Sequence, residues 1–139
     1  MKTVSDIMTR NPHTLTPQAS LLDAEQLMKT HQIRHLPIAN DEQQVQGVIS
    51  QKEVLAEAFK ITNRFGSQHL QSYLAKTLID QAMQREVITI SPDMPLLDAG
   101  RLLQEKKRGC LLVTNGDNQL QGILTSQDFV KLAIQLLDQ

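Results

Sequence analysis

This sequence is poor in cysteine and in aromatic residues. Its 139 residues include one cysteine, no tryptophan, one tyrosine and three phenylalanines. The single cysteine, Cys110, excludes an internal disulfide, and its place in the apolar run 110–113 predicts a small buried side chain. So few aromatic residues leave no stacking platform of the kind that binds single-stranded nucleic acid.

An excess of charge of one sign and a long apolar run are also missing. The net charge is −1, from 14 Lys and Arg against 15 Asp and Glu. That balance gives no electrostatic signature for nucleic acid or an anionic membrane, and we expect the one basic run, 106–108, to be a solvated helix end. No apolar run approaches the roughly 20 residues that span a bilayer, and the first residues lack the apolar core of a signal peptide. We therefore expect a soluble, cytoplasmic protein.

Motifs that carry catalysis or bind metals are absent too. The four histidines have no metal-ligand spacing with one another or with Cys110, and the chain has neither a glycine-rich phosphate loop nor a nucleophile elbow. Two acidic residues that resemble a catalytic pair, Asp23 and Asp98, each follow a predicted helix start, where an N-terminal cap explains them. The sequence predicts no catalytic residue, no metal site and no catalytic cofactor.

What the chain does contain is an internal repeat. Residues 21–24 and 96–99 are both Leu-Leu-Asp-Ala, an offset of 75 residues. Without a gap, the same offset aligns further identical residues: Met8 with Met83, Thr14 with Thr89, Pro17 with Pro92, Asn40 with Asn115 and Gly47 with Gly122. A constant offset across a whole unit indicates a duplication.

Each repeat has the pattern strand, helix, strand, strand, helix. In the first repeat, we predict an extended piece at 14–16, a helix from about 20 to 31, strands at 35–39 and 45–49, and a helix from about 51 to 60. In the second, we predict strands at 87–90, 110–114 and 120–124, a helix from about 95 to 107, and a final helix to about 137. Between the repeats, 63–66 reads as a loop and 67–84 as helical, and Asn115-Gly116 is typical of a hairpin turn.

The predicted fold class is α+β, with repeats at 1–62 and 78–139 and a helical linker at 63–77. A unit of about 60 residues buries too little apolar surface to be secure alone. We therefore expect the two β-α-β-β-α units to pack around a pseudo-two-fold axis and to form clefts that both units share.

The end of each repeat places a hydroxyl and a carboxylate at a helix start. The first loop contains Ser50-x-x-Glu53 and the second Thr125-x-x-Asp128. Both fit a capping box, in which hydroxyl and carboxylate satisfy unpaired backbone donors. The same helix start also suits a bound phosphate, and a carboxylate there could accept hydrogen bonds from ribose hydroxyls. The spacing alone favours the cap.

Together these motifs resemble a tandem pair of CBS domains, named for cystathionine beta-synthase. The resemblance rests on the duplicated unit, the opening Val4-x-Asp6-Ile7-Met8-Thr9, the strand 35–38 (His-Leu-Pro-Ile) and the two closing loops. It covers essentially the whole chain. It implies a stand-alone regulatory module that binds AMP, ADP, ATP or S-adenosylmethionine between its units, acts on a separate partner protein and forms a flat homodimer.

The resemblance also implies a set of binding residues. Asp128 would bind the ribose hydroxyls, with Thr125 and Gln127 at ribose or phosphate. The residues that would flank the base are Thr3, Val4, Ile7, Ile33 and Ile123. Arg34 and His35 would contact the phosphates. A second, weaker site would comprise Ser50, Lys52, Glu53 and Arg108. There the extra methylene of Glu53 displaces the carboxylate from good hydrogen-bond geometry.

An alternative function remains open. The hydroxyl–carboxylate pairs could serve only as caps in a ligand-free dimerisation or scaffolding module. The final helix, 129–137, carries more apolar residues than one stripe can bury, so part of it either completes the core or meets a second chain. An enzyme ranks far below both because no nucleophile, base and metal set is present.

Overall fold

The computed structural model describes residues 2–106 and 109–139. The helices are α1 (Val4–Ile7), α2 (Leu21–His31), α3 (Gln51–Phe65), α4 (Leu70–Lys76), α5 (Leu96–Lys106) and α6 (Ser126–Leu137). The strands are β1 (Thr9–Arg10), β2 (His35–Ala39), β3 (Val45–Ser50), β4 (Thr89–Ile90), β5 (Cys110–Thr114) and β6 (Leu120–Thr125). The predicted α+β class is confirmed. Most of the predicted basic run, and Arg108 of the second predicted site, lie outside the described residues.

The chain divides into two compact units. The terminal unit combines the N-terminal segment through Pro12 with Val87–Gln139, and the central unit is His13–Glu86. These units differ from the linear boundaries predicted from the repeat, because the short segment that precedes each repeat folds with the other repeat. The domain boundaries at 62 and 78 therefore describe the duplication and not the compact units.

The terminal unit contains a four-stranded sheet in the order β1-β6-β5-β4. β5 and β6 form an antiparallel hairpin, β1 pairs antiparallel with β6, and β4 lies parallel to β5. Alternating apolar residues of the strands pack against α5 and α1. The buried residues of this core are Val4, Met8, Ile90, Leu96, Ala99, Leu111, Val113 and Leu124.

The central unit repeats this arrangement around the antiparallel hairpin β2–β3. Single bridges replace the outer strands: Leu15 lies parallel to Ile38, and Gln84 lies antiparallel to Val48. Gln84, which lies opposite Val48, is the counterpart of Thr9, which lies opposite Ile123 in the terminal unit. The buried residues of this core are Leu21, Ala24, Met28, Leu36, Ile38, Ile49, Val54, Ile61, Leu74, Ile79 and Met83.

The segment between the repeats differs from its prediction. The loop predicted at 63–66 is wrong, since α3 continues to Phe65 and ends at Gly66, whose φ is 89°. The helix predicted over 67–84 is interrupted: 3₁₀ turns at Ser67–His69 and Ile79–Gln81 flank α4, and Thr77 is extended. Phe65 stacks on Tyr73 with ring centroids 4.0 Å apart, which fastens the end of α3 to α4.

Both hairpins turn through an asparagine. Asn115 Oδ1 accepts hydrogen bonds from the backbone N–H groups of Asp117 (2.9 Å) and Gln119 (3.0 Å), and Asn118 takes the positive φ of 61°. The predicted hairpin is therefore present, but it is a longer loop than a two-residue Asn-Gly turn. Asn40 makes the equivalent bonds to Glu42 and Gln44.

Across residues 2–106 and 109–139, no helix has both the length and the apolar character needed to cross a bilayer.

Candidate functional site at the start of the last helix

The strand-to-helix junction β6–α6 places Thr125 and Asp128 together. Thr125 is extended (φ −126°, ψ 171°) and is the N-cap of α6, which forms a capping box with Asp128. The Thr125 backbone N–H donates to Asp128 Oδ2 at 2.8 Å, and the Thr125 hydroxyl lies 3.5 Å from the same oxygen. The predicted cap is therefore present, and it involves one oxygen of Asp128, Oδ2.

The other oxygen of Asp128 accepts a hydrogen bond from a residue that sequence reasoning missed. Thr9 Oγ1 donates to Asp128 Oδ1 at 3.1 Å, across a separation of 119 residues. Asp128 is only 7% exposed, and a buried carboxylate needs such donors because the charged form loses water. Thr9 stands in the opening motif of the sequence, but nothing in its spacing links it to Asp128.

The N-terminal segment that carries Thr9 also contains the predicted residues Thr3, Val4 and Ile7. The Thr3 backbone N–H donates to Asp6 Oδ2 at 2.8 Å, and this bond holds the pKa of the Asp6 carboxyl below its usual value. Val4 is 0% exposed and belongs to the core, so its side chain has no free surface, and its place beside a base stays a prediction. Ile7 packs against the same core.

Two further predicted residues belong to the same unit. Ile123 lies in β6 opposite Thr9 and is buried, and Gln127 is exposed in the first turn of α6. The terminal unit therefore contains Thr3, Val4, Ile7, Ile123, Thr125, Gln127 and Asp128.

The corresponding junction in the central unit, β3–α3, uses its carboxylate differently. The Ser50 backbone N–H donates to Glu53 Oε1 at 2.9 Å, and the Ser50 hydroxyl donates to Glu53 Oε2 at 2.8 Å. Both oxygens of Glu53 thus bind its own cap residue, whereas Asp128 reserves one oxygen for a partner outside its loop. Lys52 is exposed beside this junction.

The remaining predicted residues, Ile33, Arg34 and His35, also lie in the central unit. The Gln51 backbone N–H donates to the Arg34 carbonyl at 2.8 Å, and His35 lies opposite Ser50 in the β2–β3 pair. Within this unit, the structure places Arg34 and His35 beside the junction of Ser50 and Glu53. Sequence reasoning assigned them to the Asp128 loop, which belongs to the other unit.

Burial lowers the pKa of His35, because desolvation disfavours the imidazolium. The Glu53 carboxylate raises that pKa in part, and the Arg34 guanidinium lowers it further. His35 is therefore a neutral, half-buried imidazole at neutral pH.

The depressed pKa of His35 predicts that the protein loses stability in mild acid. The unfolded chain binds a proton near its ordinary pKa of 6.5, and the folded chain binds it only at lower pH, so the free energy of unfolding falls as pH drops below 6.5. We expect His35→Gln to lose less stability than the wild type between pH 7.5 and 5.5. Urea unfolding at the two pH values measures this, with His69→Gln as an exposed control. An unchanged pH dependence in His35→Gln would contradict the assignment.

One depression on the described part of the chain lies away from these junctions and contains none of the predicted residues. An open depression of about 540 Å³ lies between Thr89–Asp93 and Thr114–Gly116, at the end of β5 opposite to its pairing with Thr125. In the part of the chain that the structure describes, no group of three or more His, Cys, Asp or Glu side chains is placed to bind a metal ion.

Comparison with known sequences identifies both repeats. The CBS domain profile matches residues 4–60 and 78–134. The chain is 31% identical to the chloroplastic CBS domain-containing protein CBSX2 of Arabidopsis thaliana, over 96% of this chain and 64% of that protein. It is 29% identical to the homoserine O-acetyltransferase of Methanosalsum zhilinae, over 94% of this chain but only 24% of the enzyme. The chain thus spans about a quarter of the enzyme's length.

Solved structures share the fold over nearly the whole chain. An acetoin utilization protein (AcuB) of Vibrio cholerae has a TM-score of 0.85 and 36% identity, over 99% of this chain and 94% of its own. CBSX2 in complex with AMP has a TM-score of 0.81 and 30% identity, over 98% of both chains. The CBS domain pair of protein MJ0100, in complex with 5′-methylthioadenosine and S-adenosyl-L-methionine, has a TM-score of 0.78 and 25% identity, over 94% of this chain and 98% of its own. With two profile matches and these full-length likenesses, the chain belongs to the CBS domain family as a tandem CBS pair.

Proposed function

We propose that this chain is a regulatory module that binds an adenosine-containing ligand through the Asp128 junction and acts on a separate partner protein. The ligand is AMP, ADP, ATP or S-adenosylmethionine. The observation that carries the proposal is the buried Asp128 carboxylate at a helix start, with one oxygen bound to its cap residue and the other accepting the Thr9 hydroxyl.

The chemistry of the junction suits a nucleoside. The two adjacent hydroxyls of a ribose are donors of the kind that a buried carboxylate accepts, and Asp128 Oδ1 already accepts one such hydroxyl, from Thr9. The start of α6 offers backbone N–H groups and partial positive charge to a phosphate or carboxylate of the same ligand. Thr125 and Gln127 are the side chains next to those groups, and Thr3, Ile7 and Ile123 supply the neighbouring surface.

Relatives support the ligand class. CBSX2 binds AMP, and the CBS pair of MJ0100 binds 5′-methylthioadenosine and S-adenosylmethionine. These ligands share adenosine and differ in charge and in the group at the 5′ position. A site built around ribose recognition is consistent with that range, because the ribose is the part that all of them have in common.

The central unit is the weaker candidate. Glu53 uses both oxygens on Ser50, so a ligand would have to break a bond of 2.8 or 2.9 Å before the carboxylate accepted its hydroxyls. Arg34 and His35 lie beside this junction, with exposed Lys52, and would suit a phosphate. We assign this junction a secondary role, with Arg108 outside the described residues.

Titration with adenine ligands tests the proposal. A ligand that binds only the folded state raises the free energy of unfolding by about 2.7 kcal/mol at a hundred times its Kd. We expect at least one of AMP, ADP, ATP and S-adenosylmethionine to raise Tm in a saturable manner, with calorimetry giving the Kd. Inosine monophosphate is the control for the base. If none of the four raises Tm at millimolar concentration, the proposal is wrong.

A second candidate function, assembly without a ligand, has its own observation. Both closing helices carry an exposed apolar stripe at equivalent positions: Leu55 and Phe59 on α3, and Val130 and Ile134 on α6. Phe59 is 67% exposed and Ile134 is 60% exposed. Contiguous apolar side chains with this much exposure are typical of a surface that binds another protein. We propose that a second copy of the chain covers these stripes in an isologous homodimer. Sedimentation of the ligand-free protein measures this assembly, and a 15.6 kDa species alone would contradict it.

A further inference from the structure

We propose that the Thr9 hydroxyl is an internal competitor for Asp128, which a ribose hydroxyl displaces when the ligand binds. This inference rests on the proposed function and adds the regulation of that site. Ligand binding would exchange the Thr9–Asp128 hydrogen bond for one to the ligand, and would thereby release a polar anchor of the N-terminal segment.

The two oxygens of Asp128 differ in how easily a ligand could replace the donor that each one binds. Oδ2 accepts the Thr125 backbone N–H at 2.8 Å, a bond that is part of the helix start and is lost only if α6 frays. Oδ1 accepts the Thr9 hydroxyl at 3.1 Å, from a side chain of a different segment. The oxygen available to a ligand is therefore Oδ1, and Thr9 already occupies it.

The difference in exposure between Thr9 and Asp128 favours replacement of the Thr9 hydroxyl by a ligand hydroxyl. Thr9 is exposed and Asp128 is 7% exposed, so solvent reaches Thr9 more readily than it reaches the carboxylate. Once displaced, the Thr9 hydroxyl can bind water, which makes its loss of partner inexpensive. Asp128 has no such option, because a buried carboxylate must keep its donors. A hydroxyl-bearing ligand satisfies this need, and a ligand without ribose hydroxyls does not.

The segment that carries Thr9 has further contacts besides the Thr9 side-chain bond. β1 contains only Thr9 and Arg10, which pair with Ile123 and Gly122 of β6. Val4 and Met8 hold the segment through the core, and the Val4 and Ser5 N–H groups donate to the Met94 and Pro92 carbonyls. Loss of the Thr9 side-chain bond therefore loosens β1 without removing α1, and the N-terminal segment becomes the part of the chain that reports occupancy.

A different residue stands at this place in the central unit. Gln84 takes the position that Thr9 has in the terminal unit, opposite Val48. Glu53 meets its own Ser50 hydroxyl instead. The two junctions thus share a fold and a cap, and differ in whether the competing hydroxyl comes from another segment.

Binding to Thr9→Val tests the competition. Valine keeps the branched shape and removes the hydroxyl, so Oδ1 becomes free for the ligand. Calorimetry with AMP should show a rise in affinity of about three- to tenfold, the worth of one intramolecular hydrogen bond. The affinity for 2′,3′-dideoxyadenosine monophosphate should stay unchanged, because that ligand offers no ribose hydroxyl. Thr9→Ser, which retains the hydroxyl, should bind AMP as the wild type does.

Each other outcome has a definite meaning. Weaker AMP binding by Thr9→Val would make Thr9 a support of the site and would overturn the competition, as would an equal change for both ligands or no change. If neither the wild type nor Thr9→Val binds AMP, the proposed function itself fails. Hydrogen exchange of wild-type protein gives an independent reading: the Thr9 and Arg10 amides should exchange faster with AMP bound, and unchanged or slower exchange would contradict the release.

Discussion

Replacing Gly47 with alanine should lower the free energy of unfolding by about 3 kcal/mol, near the upper end for an overpacked site. An added Cβ at Gly47 would lie 2.5 Å from the Gln84 carbonyl oxygen and 3.1 Å from Met83 Sδ. The carbonyl is backbone and cannot rotate away. It also accepts the Val48 N–H at 3.0 Å, so a shift of Gln84 breaks the bridge that closes the sheet of the central unit.

The duplicated position gives a second instance of the same effect. At Gly122 the added Cβ would lie 2.8 Å from the Thr9 carbonyl oxygen and 2.8 Å from Met8 Sδ. Gly122→Ala should therefore loosen β1 in the terminal unit, with a smaller loss because the clash is milder and Met8 is flexible. Neither glycine has a positive φ, so the cause is the close approach of another backbone and not the conformation of the glycine.

Gly116→Ala is the matched control, because no atom lies within 4 Å of its added Cβ. Urea unfolding of the three variants measures the difference. We expect Gly47→Ala to lower Tm by about 10 °C and Gly116→Ala to change it little. Equal stability of Gly47→Ala and Gly116→Ala would show that Gln84 does not lie against β3.

Asp128→Ala should abolish the stabilisation by adenine ligands, and Glu53→Ala should leave it nearly intact. Both variants remove the carboxylate of a capping box, so each should lose about 1 kcal/mol of stability without ligand. They differ at the second oxygen: that of Asp128 reaches outside its loop, and that of Glu53 does not. At a ligand concentration that stabilises the wild type by about 2.7 kcal/mol, Asp128→Ala should gain almost nothing.

Thermal unfolding of both variants with and without the ligand checks this prediction. The shared loss of a cap makes Glu53→Ala the control for general destabilisation. A ligand response that survives in Asp128→Ala and disappears in Glu53→Ala would move the binding site to the central unit. Loss of the response in both would indicate that the cap, and not the ribose contact, matters.

The duplicated pattern was sufficient to predict the α+β class and, in each repeat, the hairpin and the two helices that flank it, whereas α1 and β1 were not predicted. Short apolar runs bounded by turn residues and the capping motifs have local causes, so α2, β2 and β5 begin and end close to where their residues indicate. The loop predicted at 63–66 failed for a tertiary reason. Asn63 and Gly66 read as turn residues, but buried Ile61 and the stacked Phe65 hold the end of α3 in helical form.

The candidate site was predictable only in its local part. Thr125 and Asp128 stand three residues apart, so their hydrogen bond follows from the spacing. Thr9 lies 119 residues from Asp128, and the position of Arg34 beside Ser50 depends on strand pairing. Such partners depend on which segment pairs with which repeat, and a linear reading of the duplication assigned the segment before each repeat to the wrong neighbour.

That exchange of segments determines the order in which the chain can acquire its structure during synthesis. Every residue of the central unit, His13–Glu86, is synthesised before the core partners that Val4 and Met8 have in the second repeat. The central unit can therefore close first, while the N-terminal segment waits with two large apolar side chains uncovered. Long-range pairing of this kind slows folding, because a large loop must close before β1 finds β6.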